Sequence, residues 1–132
     1  MSTDLPHHQR DPMPARVLKA YTTQYPDPIA IRRGDQVILG KRDTEFPGWV
    51  WATSLSTGKS GWVPERYLIV RGDQAESVRD YSARELDVAE GAMVTIVEEL
   101  LGWSLVETGS GARGWIPQSH LARSVSPVDL PL

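Results

Sequence analysis

A short sequence unit occurs twice in this chain, and a repeat of this kind constrains the fold more than composition does. Residues 61–64 (Gly-Trp-Val-Pro) return as residues 114–117 (Gly-Trp-Ile-Pro), and each copy follows an earlier Gly-Trp pair, at residues 48–49 and 102–103. The copies are about 55 residues apart, which is near the lower limit for an independently folding domain. The chain of 132 residues is therefore predicted to contain two small domains.

The apolar runs between the repeats are too short for helices. Eleven glycines and ten prolines interrupt them, and the runs are rich in valine and isoleucine. Short strands separated by regular turn signals are typical of small antiparallel barrels. Only residues 64–67 and 117–120 are predicted to form a helical turn, because each begins with proline, which is tolerated at the first position of a helix.

Charge and composition narrow the function classes. The net charge is −3; residues 17–70 carry seven basic and five acidic residues (+2), and residues 76–123 carry four and eight (−4). Nucleic-acid binding is disfavoured, because it needs a concentrated basic face. No apolar run is long enough to cross a bilayer and no secretory signal begins the chain, so we expect no membrane partner and a cytoplasmic location. The absence of cysteine favours a reducing compartment.

The residues that support catalysis or metal binding are not arranged in a recognisable pattern. The chain has no cysteine nucleophile, no Gly-x-Ser-x-Gly segment, no phosphate-binding glycine loop and no His-x-x-x-His pair. We therefore expect no catalytic residue, no metal site and no cofactor.

Several short motifs, in the same order in both halves, resemble the Src homology 3 (SH3) domain. The family's Ala-Leu-Tyr-Asp-Tyr signature is similar to residues 17–21 and 77–81, and its Glu-Leu-Ser-Phe strand to residues 28–31 and 85–88. The groove tryptophan and the Gly-aromatic-aliphatic-Pro run complete the match in each half. The resemblance implies an all-β fold of two tandem five-stranded SH3-like small β-barrels with short 3-10 turns and disordered termini.

The resemblance also predicts domain boundaries. They are a disordered N-terminal tail (1–15), an SH3-like domain 1 (16–70), a short linker (71–76), an SH3-like domain 2 (77–123) and a C-terminal tail (124–132).

In this family a groove of aromatic slots holds a polyproline II segment, which has little conformational entropy to lose on binding. The resemblance implies that the groove of domain 1 is formed by Tyr21, Trp49, Trp62, Pro64 and Tyr67, with Asp27 and Glu45 as the nearest acidic rim residues. It implies a reduced groove in domain 2, formed by Tyr81, Glu85, Trp103, Trp115 and Pro117.

The two halves also depart from the family pattern. Both have a cation where the family has the first signature tyrosine, at Lys19 and Arg79, and the second half has His120 where the first has Tyr67. The second half also has shorter loops. We therefore expect domain 1 to be the main ligand-binding domain.

The sequence thus predicts a non-catalytic protein-protein interaction module, an adaptor or accessory subunit, that binds an extended proline-containing segment of a protein partner. One alternative is a structural or enzyme-accessory subunit whose grooves are occupied by domain-domain packing. Another is a nucleic-acid-binding small barrel, since such barrels recur with many functions. The oligomeric state stays open.

Overall fold

The structure, a computed structural model, describes residues 12–123, which form strands and two short 3-10 turns. The predicted all-β fold is confirmed, and the two turns, Glu65–Tyr67 and Gln118–His120, each follow a proline as expected. The strands, numbered in chain order, are β1 (Met13–Val17), β2 (Ala30–Ile31), β3 (Gln36–Arg42), β4 (Trp49–Ser54), β5 (Ser60–Pro64), β6 (Leu68–Arg71), β7 (Gln74–Ser77), β8 (Tyr81–Ser82), β9 (Met93–Leu100), β10 (Trp103–Glu107), β11 (Arg113–Pro117) and β12 (Leu121–Arg123).

The chain divides into two compact units that do not coincide with its two sequence halves. Residues 23–85 form one unit, named here the inserted unit. The described residues on both sides of it, 12–22 and 86–123, form the other, named here the split unit. The structural boundaries therefore differ from the expected domains 16–70 and 77–123.

Each unit contains a five-stranded antiparallel sheet. The strand order is β5-β4-β3-β7-β6 in the inserted unit and β11-β10-β9-β1-β12 in the split unit. β7 lies between β3 and β6, and β1 occupies the equivalent place between β9 and β12. Each unit thus takes its signature strand from the other sequence half.

A tight hairpin explains this exchange. Arg71 pairs with Gln74, so only Gly72 and Asp73 connect β6 to β7. Gly72 has a φ of 68°, a conformation that glycine adopts at no steric cost and that two-residue hairpins with glycine first require. The chain therefore returns beside β6 in the same sheet, and the predicted linker 71–76 is wrong because β6, this turn and β7 occupy it.

Alternating burial along the strands forms the core of each unit. In the split unit, Val94 and Ile96 on β9 pack with Ala15 and Val17 of β1 and with Ile116 of β11. Ala15 and Val17 are 0% and 1% exposed, so β1 is an integral part of this core. The full cluster is Ala15, Val17, Leu86, Val88, Val94, Ile96, Val106 and Ile116.

The inserted unit is built in the same way. Val50 and Ala52 on β4 and Val63 on β5 are fully buried, and Ala75 of β7 is 2% exposed. Ala75 and Ala15 hold corresponding places in β7 and β1 and are both buried, so the two strands satisfy the same packing requirement.

The ends of the chain were expected to be disordered. Residues 13–15 belong to β1, so the predicted tail 1–15 is wrong at those positions. Residues 1–11 and the predicted tail 124–132 lie outside the described residues.

Candidate functional site

The repeated Gly-Trp motif has a structural role in both units. The carbonyl oxygen of Gly102 accepts a hydrogen bond of 2.9 Å from the backbone N–H of Gln118, the first residue of the second 3-10 turn. The Gly48 carbonyl accepts the equivalent bond, 2.8 Å, from Glu65. These bonds attach the start of β4 to the 3-10 turn after β5, and the start of β10 to the 3-10 turn after β11. The spacing of the repeat therefore reflects a recurring contact between a strand and a 3-10 turn.

A second pair of backbone bonds connects the signature strands to the same turns. The N–H of Leu18 donates to the carbonyl of His120 at 2.7 Å, and the N–H of Val78 donates to the carbonyl of Tyr67 at 2.8 Å. The residue after Leu18 or Val78 is the cation of the signature, Lys19 or Arg79. In each unit that cation is therefore held next to the last residue of the 3-10 turn.

The split unit brings three rings together. Tyr21 packs edge to face with Trp103, with ring centroids 6.0 Å apart, and with His120 at 5.4 Å. Tyr21 is held by a pair of 3.0 Å backbone hydrogen bonds with Val88. All three rings are half-buried, which leaves part of their surface accessible. Tyr21 was expected in a groove with Trp49; the structure places it in the split unit instead.

His120 completes this arrangement through its ring nitrogen. Its Nδ1 lies 3.1 Å from the backbone carbonyl oxygen of Lys19. The imidazole thus bridges from the 3-10 turn to the signature strand, at the place where the other unit has Tyr67.

The split unit contains two more predicted groove residues, Trp115 and Pro117, which expose less surface than Trp103. Pro117 pairs with Trp103 and Trp115 with Leu105 across β10 and β11. Pro117 and Trp115 are both buried, with Trp115 6% exposed. They support the half-buried rings more than they present surface of their own.

The inserted unit holds the equivalent residues in a more closed arrangement. Tyr67 and Tyr81 pack edge to face at 5.7 Å, and the Tyr81 hydroxyl donates a 2.9 Å hydrogen bond to the carbonyl of Trp62. The Arg79 guanidinium lies over the Tyr67 ring, 4.4 Å from its centroid. Both tyrosines are buried, and Tyr81, expected in domain 2, belongs to this unit with Tyr67.

Trp49 was expected to be the main groove tryptophan. It pairs with Pro64 across β4 and β5, and it is 3% exposed. Trp103, which holds the equivalent place in the split unit, is only half-buried. Of the two predicted groove tryptophans, Trp103 is therefore the more accessible.

A second aromatic cluster, formed mainly by residues outside the predicted groove, lies in the inserted unit. Trp51 packs edge to face with Trp62 at 5.1 Å and against Tyr25 at 5.2 Å. The Lys41 ammonium lies 5.9 Å from the centroid of the Trp62 ring. The signal that could have located this cluster is the two-residue spacing of Trp49 and Trp51, which places both side chains on the same face of a strand.

The acidic rim residues lie in the inserted unit. Asp27 forms a 3.0 Å ion pair with Lys59, and the Glu85 carboxylate accepts a 2.7 Å hydrogen bond from the backbone N–H of Gln24. Glu45, on the loop before β4, is exposed, and its backbone N–H donates to the Asp43 carboxylate. All three belong to the inserted unit, whereas Tyr21 and Trp103 belong to the split unit.

Two ion pairs shift ionisation near the turns. Arg42 donates two 3.0 Å hydrogen bonds to the Glu65 carboxylate, and these bonds lower the pKa of Glu65. In the split unit, Arg123 pairs with Glu99, and the hydrogen bond between them raises the pKa of Arg123. Both pairs are partly exposed to solvent.

Within residues 12–123, no group of three or more His, Asp or Glu side chains could hold a metal ion. No helix in that range has the length and apolar character needed to cross a membrane.

Comparison with protein families finds one match in each sequence half. A variant SH3 domain family matches residues 14–71, and a bacterial SH3 domain family matches residues 78–122. The chain therefore belongs to the SH3 domain family, with two SH3-type sequences in tandem. SH3 domains are generally protein-interaction modules, and these families are generally non-catalytic.

A human protein is also similar to part of the chain. Ubiquitin-associated and SH3 domain-containing protein B of Homo sapiens is 34% identical over 55 residues, which cover 40% of this chain and 8% of that protein. The chain thus spans a small part of that relative's length.

Proposed function

We propose that this protein is a non-catalytic adaptor or accessory subunit that binds an extended, proline-containing segment of a protein partner. The proposed site is the groove of the split unit, formed by Tyr21, Trp103 and His120. We further propose that it acts in the cytoplasm. The chain has no cysteine and therefore no disulfide that a reducing compartment would break.

The half-buried Tyr21–Trp103 pair is the observation that carries this proposal. Two rings at 84° to one another and 6.0 Å apart offer flat apolar surface to a ligand. A polyproline II segment has solvated backbone carbonyls and a rigid apolar side, so it complements such a surface. The backbone bonds of Tyr21 with Val88 hold the pair in place before a ligand arrives.

The proposed site lies on the split unit because the rings of that unit are the more accessible ones. In the inserted unit Trp49 is 3% exposed and Arg79 covers the Tyr67 ring. These two observations favour a structural role for the inserted groove.

Titration of the full chain with a peptide of nine prolines, followed by isothermal calorimetry, tests the proposal. We expect the Trp103→Ala variant to bind about 30-fold more weakly or worse, as for a residue that dominates an interface. Trp51→Ala is the matched control, because it removes a half-buried tryptophan from the other unit. Equal affinity of the wild-type and Trp103→Ala proteins, with the fold retained by circular dichroism, would contradict the proposed site.

A further inference from the structure

We infer that the groove of the split unit selects a segment that carries a carboxylate side chain beside its prolines, and that Lys19 pairs with this carboxylate. The inference rests on the proposed function and adds the chemistry of the partner.

Lys19 is held at the edge of the proposed groove by contacts on both sides. The N–H of Leu18 donates to His120, and the carbonyl oxygen of Lys19 lies 3.1 Å from the His120 Nδ1. Two residues later, Tyr21 packs on the His120 ring. The backbone of Lys19 is therefore restrained beside the rings, and its side chain is exposed.

The inserted unit shows how far a cation at this position reaches. Arg79 occupies the equivalent place, and its guanidinium lies over the Tyr67 ring at the end of the 3-10 turn. A side chain of similar length at Lys19 can therefore reach the same part of the split-unit groove, above or beside His120.

The two cations differ in how they are engaged. Tyr67 offers Arg79 an electron-rich ring, on which a cation is stabilised. At the equivalent place the split unit has His120, and within residues 12–123 the Lys19 ammonium forms no ion pair and does not stack on a ring. The ammonium thus remains available to an incoming anion.

The charged residue whose backbone the contacts with His120 hold beside the split-unit rings is Lys19, a cation. Electrostatic complementarity therefore favours an acidic partner residue over a basic one.

The test uses the full chain and a set of nine-residue polyproline peptides. Each peptide has glutamate, glutamine or lysine at one position, and the substituted position is moved in turn along the peptide. The dissociation constant of each peptide is measured by calorimetry at low salt. We expect one position at which glutamate binds about three-fold more tightly than glutamine, the size of effect typical of an exposed ion pair. Lysine at that position should bind more weakly than either.

Variants of Lys19 assign the effect to this side chain. Lys19→Gln should abolish the difference between the glutamate and glutamine peptides, Lys19→Arg should retain it, and Lys19→Glu should reverse the order of the glutamate and lysine peptides. Arg79→Gln, the matched change in the inserted unit, should leave the preference for glutamate intact. Circular dichroism checks that every variant keeps its fold.

The failure of this inference can be distinguished from the failure of the proposed function. If peptides bind but glutamate and glutamine are equivalent at every position, the carboxylate preference is overturned and the groove is retained. The same holds if Arg79→Gln, and not Lys19→Gln, removes the preference. If no peptide of the set binds, the proposed function is itself overturned.

Discussion

The rings of Tyr21 and Trp103 pack edge to face, 6.0 Å apart, although Tyr21 comes from the first sequence repeat and Trp103 from the second. In the other unit, Tyr81 of the second repeat packs on Tyr67 of the first. Each aromatic site therefore needs both repeats. A variant that alters one repeat is expected to affect the sites of both units.

The exchange of strands predicts which fragments fold. Residues 23–85 contain every strand of the inserted unit, so this fragment should fold alone. Residues 77–123, the expected second domain, lack β1 and with it the buried Ala15 and Val17. We expect cooperative thermal unfolding, followed by circular dichroism, for the first fragment only.

The fragment comprising 12–123 provides the control, because it keeps all the described strands. If residues 77–123 unfold cooperatively at the temperature seen for the split unit of the full chain, β1 is not required and the strand assignment is wrong.

Two glycine substitutions should have opposite outcomes. A Cβ at Gly61 would lie 2.9 Å from Ile29 Cγ2 and 3.2 Å from Ala83 Cβ, so Gly61→Ala should destabilise the protein by about 1–3 kcal/mol through overpacking. At Gly109 nothing lies within 4 Å of the added atom, and Gly109→Ala should change stability little. Urea unfolding of both variants measures this difference, and equal stabilities would contradict the close approach at Gly61.

Trp49 is predicted to act through stability. Because it is 3% exposed, Trp49→Ala removes a large buried ring and should lower the free energy of unfolding by about 3–5 kcal/mol. Trp103→Ala, at the half-buried equivalent position, should cost clearly less. Chemical denaturation compares the two, and a larger loss for Trp103→Ala would show that Trp49 is not the more deeply packed residue.

The Arg42–Glu65 pair predicts a pH dependence. Its hydrogen bonds lower the pKa of Glu65, so their contribution to stability is present at pH values above the ordinary glutamate pKa. That contribution is lost as the pH falls through the lowered pKa of the folded state. Carboxyl chemical shifts should show Glu65 titrating below its ordinary range, and in Arg42→Gln closer to it. An unchanged titration in Arg42→Gln would exclude the guanidinium as the cause.

Local features of the fold could be predicted from the sequence. Pro64 and Pro117 restrict the backbone in the way that the start of a 3-10 turn requires, and the turns follow them directly. The all-β architecture follows from short valine- and isoleucine-rich runs between glycines and prolines. The resemblance assigned Tyr21 to one groove and Trp103 and Pro117 to the other, whereas all three belong to one unit of the structure.

The pairing of the signature strands could not be predicted in the same way. β1 and β7 each place an alanine on the buried side, at Ala15 and Ala75, so either strand meets the packing requirement of either sheet. The choice is made by the connection after β6. The Gly72–Asp73 pair lies in the predicted linker 71–76, although glycine followed by aspartate between two runs of strand character is a two-residue hairpin signal.

The burial of Trp49 and the accessibility of Trp103 also could not be predicted from the sequence. Both tryptophans follow glycine at the start of a strand, and the repeat makes them equivalent. Their exposure depends on the side chains that surround each ring in three dimensions, which local pattern does not encode.

The position of the inserted unit within the chain has a mechanical consequence. A pulling force applied at residues 12 and 123 is carried first by the split unit, since residues 23–85 lie inside a loop whose two ends belong to that unit. β1 and β12 are antiparallel neighbours, with Ala15 paired to Arg123, so such a force separates their hydrogen bonds one after another. Under tension the split unit, with its proposed groove, would open while the inserted unit is still shielded from load.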